Sequence, residues 1–328
     1  MTSLTNAIDG QLPFLRRIFR RIFQREYFVY YALIAVVLFF SAVLADTAFF
    51  SLANFMNIIR QTTPITLMAI GMTFALAVGH IDLSVGSVVA LSALVCALVL
   101  DITYWPIAVA AGLAVGILTG LVNSILTEWL RVSSLLVTLG TMGIVAGLAR
   151  VLTNLESIPI TNDTFTTIFG SGSFASISVM FVWTAIALII GWIALSKTRF
   201  GAHLLAVGGN PSAARAFGIN VIKVRMTAMI IAGTTASIAG LLYAGRLHGA
   251  RYSLGEADLL TVIAAVAIGG TSLFGGRASV TGAVVGSWLM GIINNGLILW
   301  GFSTNEQIIA RGLILIVAVA IGVKEDRK

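Results

Sequence analysis

The sequence is poor in charged residues, which make up only 10% of its 328 positions, whereas hydrophobic residues make up 58%. An ordinary soluble domain carries about 25% charged residues. A chain with so few charges cannot cover itself with a polar surface, which excludes a soluble globular protein. We therefore expect an integral membrane protein, and the 33 glycines are typical of closely packed membrane helices.

The sequence also lacks the patterns that disulfides, metals and catalysis require. Its single cysteine, Cys96, excludes an internal disulfide. The three histidines are scattered, and no cluster of His, Cys and carboxylate residues has metal-ligand spacing. There is neither a Gly-x-x-x-x-Gly-Lys-Ser/Thr loop for nucleotide phosphates nor a Gly-x-Ser-x-Gly elbow. We therefore expect no enzyme, no cofactor and no metal.

A long apolar region follows a short basic one. Residues 1–27 contain the run PFLRRIFRRIF and no visible cleavable signal, which is typical of a start-transfer signal that stays in the protein. We expect this segment to be cytoplasmic, although a lipid-binding or partner role is an alternative. Residues 28–323 then form one transmembrane domain, and residues 324–328 form a cytoplasmic tail.

Hydrophobic runs of about 20 residues predict ten transmembrane helices. They lie near residues 28–45, 63–79, 84–100, 105–126, 134–152, 178–195, 226–247, 259–274, 279–300 and 307–323. With the N-terminus inside, 15 of the 20 lysine and arginine residues fall in cytoplasmic segments. Only Arg60, Arg246 and Arg251 fall outside, while Arg150 and Arg311 lie within spans. The positive-inside rule therefore favours ten spans with both termini in the cytoplasm.

Weak landmarks recur in the two halves of the chain. Gly79-x-x-Asp82-Leu83 matches Gly255-x-x-Asp258-Leu259, and GLVN at 120–123 matches GIIN at 291–294. Spans two to five thus correspond to spans seven to ten. Matching spans are five apart, and because five is an odd number the second copy has the opposite orientation in the membrane. An inverted repeat is typical of transporters, with a path at the repeat interface, although chance similarity in glycine-rich sequence is the alternative.

A small set of polar residues within or beside the spans could line a path for a neutral solute. Amides and hydroxyls can exchange hydrogen bonds with such a solute, but they can equally bond one helix to another. Arg311 could contact the path or extend to the outer interface, and Asp82 could cap the third span through the amides of Ser84 and Val85. The candidates are Asp82, Ser84, Asn123, Thr138, Thr141, Asn294, Asn295 and Arg311.

One polar, basic stretch, AVGGNPSAARAFGINVIKVR at 206–225, interrupts the apolar sequence. It predicts a helix over 211–217, because Asn210 can cap it, Pro211 fits its first turn and Gly218 can end it. The predicted topology puts it in the largest cytoplasmic loop, residues 197–225. Such a helix is either an ordinary surface turn or a contact for a soluble partner.

Four motifs resemble the permease subunits of ribose-type ABC sugar importers, a group that also serves galactose, arabinose, xylose and similar polyols. They are GHIDLSVGSVVALSA (79–93), GGNPSAARAFGIN (208–220), AAVAIGGTSLFGGRASVTGAVVG (264–286) and NNGL (294–297). The resemblance covers nearly the whole chain after about residue 50. It implies an all-α permease in the bacterial inner membrane that works as a pair, identical or related. A separate ATPase subunit would drive it, and a periplasmic or surface sugar-binding protein would supply it.

The resemblance also implies a role for the short cytoplasmic helix, which in such importers couples the permease to the ATPase. Small alanines would allow close approach, Arg215 would contact the ATPase, and Gly218 would turn the chain back. The implied coupling residues are Gly209, Asn210, Pro211, Ala213, Ala214, Arg215, Gly218 and Ile219. A stand-alone carrier or facilitator for a small polar solute is the alternative function.

The sequence departs from the family pattern at two places. His80 replaces a small residue before Ile-Asp-Leu and could respond to pH, or it could be an incidental interfacial histidine. Arg277-Ala278-Ser279 stands where the family often has a second glycine pair. The first departure leaves a pH response open, and the second puts the shape of one cytoplasmic turn in doubt.

Overall fold

The computed structural model describes residues 25–174 and 177–326, and this part of the chain is mostly helical. Much of the predicted cytoplasmic N-terminal segment and the end of the C-terminal tail lie outside the described residues. The basic positions outside them are Arg16, Arg17, Arg20, Arg21, Arg327 and Lys328.

The described residues contain thirteen α-helices. They are α1 (Arg25–Val43), α2 (Leu52–Ala77), α3 (Val85–Leu100), α4 (Trp105–Leu130), α5 (Ser134–Thr153), α6 (Asp163–Thr166), α7 (Val179–Ser196), α8 (Arg199–Gly209), α9 (Pro211–Ala216), α10 (Val221–Leu247), α11 (Leu259–Ile268), α12 (Val280–Leu299) and α13 (Thr304–Asp326). Each of the ten predicted apolar segments lies mainly in one helix, and the short helices α6, α8 and α9 lie between them.

Five helices in the described part are long and apolar enough to cross a membrane, namely α4, α5, α7, α10 and α12. Helix α3 and residues 28–43 of α1 are apolar but shorter. A chain with several membrane-crossing helices is a polytopic membrane protein, which agrees with the class expected from composition.

Helix α2 begins at Leu52, whereas the predicted span began at residue 63. Polar residues and Pro64 lower the hydropathy and the helical signal of its first half, so the sequence did not predict it as part of the span. The Thr62 hydroxyl donates to the Ile58 carbonyl at 2.9 Å, and the Thr63 hydroxyl donates to the Ile59 carbonyl at 2.8 Å. Because these hydroxyls are satisfied within the helix, α2 can be buried along most of its length despite its modest hydropathy.

Helix α10 lies at the centre of the molecule, and 72% of its most apolar 18-residue stretch is buried. It packs against α2, α3 and α4. Its contact with α4 depends on glycine, because a Cβ at Gly116 would lie 2.1 Å from the Gly233 carbonyl oxygen. The absence of side chains lets the two backbones approach directly, as in closely packed membrane helices.

The two groups of helices have similar packing. Helix α3 packs against α4 and α5, and α11 packs against α12 and α13. Helices α2 and α10, which begin the two groups, pack against each other. The main apolar core runs through α2, α3 and α10, with Phe165 and Phe169 closing one end.

Short strands and turns connect the helices. Strand β1 (Ile158–Pro159) pairs antiparallel with β4 (Gly249–Ala250), and β2 (Ser173–Phe174) pairs antiparallel with β3 (Ile177–Ser178). Helix α11 ends at Ile268, earlier than the predicted 274, because Gly270 adopts φ +90 and the chain turns toward α12. Gly275 and Gly276 continue that turn with φ +92 and +79, ahead of the divergent Arg277.

Candidate functional site

A cavity of about 170 Å³ lies among α2, α10, α11, α12 and α13. Its lining is rich in hydroxyl, amide and charged groups, which is unusual inside an apolar helical bundle. The lining residues are Gln61, Thr62, Ile65, Tyr243, Arg246, Asp258, Thr261, Met290, Gly291, Asn294 and Arg311. Asn294 and Arg311 are therefore the two predicted path residues that line this cavity.

Asp258 and Tyr243 form one wall of the cavity. The Tyr243 hydroxyl donates a 2.6 Å hydrogen bond to Asp258 Oδ2. Asp258 sits in a short 3₁₀ turn just before α11, while Tyr243 lies near the end of α10. Burial raises the pKa of the Asp258 carboxyl above its ordinary value, while the Tyr243 hydrogen bond opposes the rise. The bond thus holds the start of α11 against α10.

Two arginines also belong to the cavity lining. Arg311 Nη2 donates to Asn294 Oδ1 at 2.8 Å, which joins α13 to α12. The Arg246 guanidinium lies 5.3 Å from the centre of the Tyr243 ring. Within the described residues, neither Arg246 Nε nor Thr261 Oγ1 has a hydrogen-bond partner, and both atoms are buried. The cavity therefore presents polar atoms that a bound solute could satisfy.

Three other predicted path residues form a separate buried cluster beside the start of α3. Asp82 Oδ1 accepts from the Ser84 amide at 2.9 Å and from the Ser84 hydroxyl at 2.6 Å. Asn123 Nδ2 donates to Ser84 Oγ at 2.9 Å. Burial raises the pKa of the Asp82 carboxyl, and the two bonds from Ser84 oppose the rise. The predicted bond from the Ser84 amide is present, and among the described residues no bond joins Val85 to Asp82.

The last three predicted path residues make contacts within or between helices. Thr138 Oγ1 accepts from the Leu83 amide at 3.1 Å and lies 3.1 Å from the Ile81 carbonyl, so it braces the loop before α3. Thr141 Oγ1 donates to Val137 within α5. Asn295 exchanges two 2.9 Å hydrogen bonds with Asn54 of α2. None of the three lines the cavity described above.

The predicted cytoplasmic helix is present as α9, with the expected ends. Asn210 Oδ1 accepts from the amides of Ser212 and Ala213 at 3.1 and 3.0 Å. Pro211 occupies the first turn, and Gly218 turns the chain with φ +81. The loop is nevertheless more ordered than expected, because a second helix, α8, directly precedes α9.

The surface of α9 differs from the predicted contact set at two positions. Ala214 is only 3% exposed and packs into the chain's own core, so it cannot present its methyl group to a partner. Phe217, outside that set, is 87% exposed. Ala213, Arg215 and Gly218 are exposed, whereas Ile219 is half-buried. A bulky apolar side chain directly after a capped surface helix was a sequence signal for this position.

Gly209 lies where α8 meets the turn between α11 and α12. The neighbouring Gly208 has no room for a side chain, since a Cβ there would lie 1.8 Å from the Ala77 carbonyl oxygen. The Gly276 amide donates to that same carbonyl at 3.0 Å. The end of α2, the end of α8 and the glycine turn are therefore in direct contact, which ties α9 mechanically to the membrane helices.

A second opening, a cleft of about 680 Å³, lies beside α9. Its lining comes from the loop after α2, the end of α4, the start of α5, and α9 and α10. His80 Nε2 lies 3.2 Å from Glu128 Oε1, and Arg225 Nη1 donates to the same oxygen at 3.4 Å. His80 is thus buried in a polar cluster, which differs from an incidental interfacial position.

Sequence analysis did not identify Gln61, Tyr243 or Arg246 as cavity residues. Arg246 was assigned to an outside segment by charge, and Tyr243 carries no local signal. Both lie on α10 one turn apart, and that spacing puts them on one helix face. Asp258 appeared only as a repeat landmark, and its partner on α10 makes it part of the cavity wall.

The chain resembles known transport proteins over most of its length. Residues 54–319 match the family described as "Branched-chain amino acid transport system / permease component". The ribose import permease RbsC of Bacillus subtilis is 36% identical over 288 residues, covering 86% of this chain and 87% of the relative. The L-arabinose permease AraH of Azospirillum brasilense is 34% identical over 293 residues, covering 88% and 85%.

A third relative is named for a different sugar. The galactose/methyl galactoside import permease MglC of Haemophilus influenzae is 34% identical over 315 residues, covering 90% of this chain and 92% of the relative. No solved structure matches the chain. Because the family match and these relatives cover most of the sequence, the chain belongs to the permease family of ABC sugar importers.

Proposed function

We propose that the chain forms the membrane path of an ATP-driven importer for a small neutral sugar or polyol of the ribose type. The cavity between α2 and α10–α13 carries this proposal. Its lining offers hydroxyls, amides, two guanidinium groups and a carboxylate. Sugar hydroxyls both donate and accept hydrogen bonds, so they suit a lining that mixes these groups. Arg246 Nε and Thr261 Oγ1, which lack partners in the described part of the chain, add two positions for such contacts.

The path is tested by removing one polar contact from the cavity. Arg311→Gln should lower sugar uptake roughly tenfold or more, because a hydrogen bond to a charged group contributes about 1.5–3 kcal/mol. Arg60→Gln is the matched control, since Arg60 is exposed on α2 and does not line the cavity. Uptake is measured in cells with equal amounts of each variant in the membrane. Equal uptake by the two variants would refute the assignment of the cavity to the path.

The proposed topology has ten spans, both termini in the cytoplasm, and α2–α5 related to α10–α13 by an inverted repeat. The matching contacts within the two helix groups support the repeat. Single cysteines introduced after Cys96→Ala test the topology. A cysteine at Arg215 should react only with a membrane-permeant thiol reagent, and one at Arg251 should also react with an impermeant one. The reverse pattern would contradict the orientation.

We also propose that α9 couples the permease to a separate ATPase subunit. The exposed Arg215 and Phe217 are suited to a soluble partner, because arginine and aromatic residues contribute strongly to protein interfaces. Arg215→Glu should abolish ATP-dependent uptake while the chain still inserts into the membrane. Arg199→Glu, at an exposed position at the start of α8, is the control. Normal uptake by Arg215→Glu would exclude this role.

The proposed assembly contains two permease chains, identical or related, with an ATPase subunit and a sugar-binding protein outside. Reconstitution separates this assembly from a stand-alone carrier. Proteoliposomes with the permease alone should not equilibrate sugar, whereas addition of the ATPase, binding protein and ATP should start accumulation. A panel of pentoses, hexoses and polyols then identifies the substrate. Equilibration by the permease alone would establish the carrier instead.

A further inference from the structure

The cleft beside α9 has an excess of positive charge. Arg131, Arg215 and Arg225 line it, together with one carboxylate, that of Glu128. Glu128 is already shared by Arg225 and His80. Within the described residues, neither Arg131 nor Arg215 forms an ion pair. Two guanidinium groups therefore face the cleft without a compensating charge.

Buried polar atoms at the cleft also lack partners. Thr127 is only 6% exposed, and its Oγ1 makes no hydrogen bond within the described residues. Arg225 Nη1 donates to Glu128 Oε1, while Arg225 Nε is buried and has no partner among the residues that the structure describes. Leaving a buried polar group unsatisfied destabilises the folded protein. Both residues line the cleft, so a bound group that accepts hydrogen bonds would lie close to these atoms.

The geometry around these atoms favours one ligand chemistry. Arg131 ends α4 in the left-handed conformation, with φ 53, and lies beside Ser133 and Ser134 at the start of α5. The cleft thus combines guanidinium groups with hydroxyls from two helices. Guanidinium groups pair with phosphate through two parallel hydrogen bonds, and hydroxyls supply further donors.

We propose that this cleft binds a phosphate group, carried either by a soluble phosphorylated sugar or by an anionic lipid headgroup. The proposal goes beyond the transport path, and only its cytoplasmic location rests on the proposed topology. A phosphorylated sugar would report the downstream fate of an imported one, whereas a lipid would anchor the region beside α9. In both cases the phosphate neutralises the unpaired arginines.

Thermal unfolding of the full-length chain in phosphatidylcholine nanodiscs tests the proposal, with inorganic phosphate as the probe. Phosphate should raise the unfolding midpoint saturably, and sodium chloride at equal ionic strength should not. Arg131→Gln should raise the half-saturating concentration about tenfold or more, and Thr127→Val should raise it several-fold. Arg199→Gln and Thr227→Val are matched controls outside the cleft and should titrate like the parent.

Two further arms separate the sources of the phosphate. A pentose 5-phosphate is titrated against the unphosphorylated pentose, and nanodiscs containing phosphatidate are compared with pure phosphatidylcholine. Stronger, Arg131-dependent stabilisation in either arm supports the site and identifies its source. If phosphate acts no better than chloride, or Arg131→Gln titrates like the parent, the proposal is wrong. Loss of ATPase binding in Arg131→Gln without any phosphate effect would instead make the cleft a docking surface.

These outcomes are independent of transport. Binding is measured on the purified chain, so a failed phosphate titration leaves the uptake and reconstitution experiments unaffected. Arg131 is exposed, so its substitution should leave folding intact. If Thr127→Val lowers the unfolding midpoint even in sodium chloride alone, this variant has lost stability and its titration is set aside. The comparison of Arg131→Gln with its control Arg199→Gln then decides the result.

Discussion

Gly116→Ala tests how the centre of the molecule is held together. Gly112, Gly116 and Gly120 recur every fourth residue along α4, and this row faces α3 and α10. A Cβ on Gly116 would lie 2.1 Å from the carbonyl oxygen of Gly233. The obstacle is backbone rather than a movable side chain, so rotation of a side chain cannot relieve the overlap.

The size of the effect follows from that distance. Ordinary van der Waals contact begins at 3.4 Å, so α4 and α10 must move apart by about 1.3 Å to accommodate one methyl group. Overpacking of this kind typically costs about 1–3 kcal/mol. Since 1 kcal/mol shifts the midpoint of a large domain by about 2–4 °C, we expect Gly116→Ala to lower it by roughly 2–12 °C.

The chain carries its own reporter for the assay. Cys96 is fully buried on α3, and its Cβ lies 3.2 Å from where a Cβ of Gly112 would stand. A thiol-reactive fluorophore therefore labels Cys96 only when this packing opens on heating. Gly140→Ala on α5 is the matched control, since nothing lies within 4 Å of a Cβ there. Equal midpoints for the two alanine variants would refute the reasoning.

Three smaller predictions use the same purified chain. Asn210→Ala removes two capping bonds and should cost about 1 kcal/mol locally, seen as faster amide exchange at the start of α9 without a change in the global midpoint. Asn54→Leu should lower the unfolding midpoint because it leaves Asn295 unpaired. The double variant Asn54→Leu with Asn295→Leu should recover much of that loss, and a double variant whose loss equals the sum of the two single losses would contradict this. Arg150→Gln should cost about 1 kcal/mol or less in thermal unfolding, because its 3.0 Å pair with Glu256 and its contact with the Tyr252 ring, 5.6 Å away, are both weak at an exposed position, and a larger loss would contradict this.

Much of the fold could be predicted from local signals in the sequence. The ten apolar segments are all helical, because a long apolar run satisfies its backbone hydrogen bonds within one helix. The ends of α9 were also predictable, since Asn210, Pro211 and Gly218 act through bonds or dihedral angles within a few residues. These features depend on near neighbours in the sequence and on no distant contact.

The first half of α2 was missed because its polar residues read as a loop. Hydropathy measures transfer of side chains to lipid, whereas polar residues of this part of α2 find partners within the protein. Asn54 exchanges two 2.9 Å hydrogen bonds with Asn295 of α12. Such partners, more than one hundred residues away, make polar positions compatible with burial.

The candidate site was predicted only in part for the same reason. Asn294 and Asn295 are adjacent and chemically identical, yet Asn294 faces the cavity and Asn295 pairs with Asn54. Successive positions on a helix point in different directions, and only the arrangement of neighbouring helices decides which direction is a cavity. Tyr243 was missed because its partner, Asp258, lies on another element, and Arg246 was missed because only the neighbouring helices show that it lines a cavity.

The proposed repeat accounts for why the cavity forms beside the second aspartate turn and not beside the first. Gly79 and Gly255 both have φ +79, and each precedes an aspartate that accepts a 2.6 Å bond from a hydroxyl. In the first half that hydroxyl belongs to Ser84, two residues away, so Asp82 is enclosed and 1% exposed.

In the second half the hydroxyl comes from Tyr243 on α10. The longer tyrosine side chain bridges two helices, and it leaves Asp258 facing the space between them. One copy of the turn therefore closes on itself, while the other depends on a distant helix and stays open to a solute. Tyr243→Phe, which removes the hydroxyl and keeps the ring, should for this reason impair sugar uptake far more than it lowers the unfolding midpoint. A large fall in the midpoint with unchanged uptake per folded molecule would show that both copies serve packing alone.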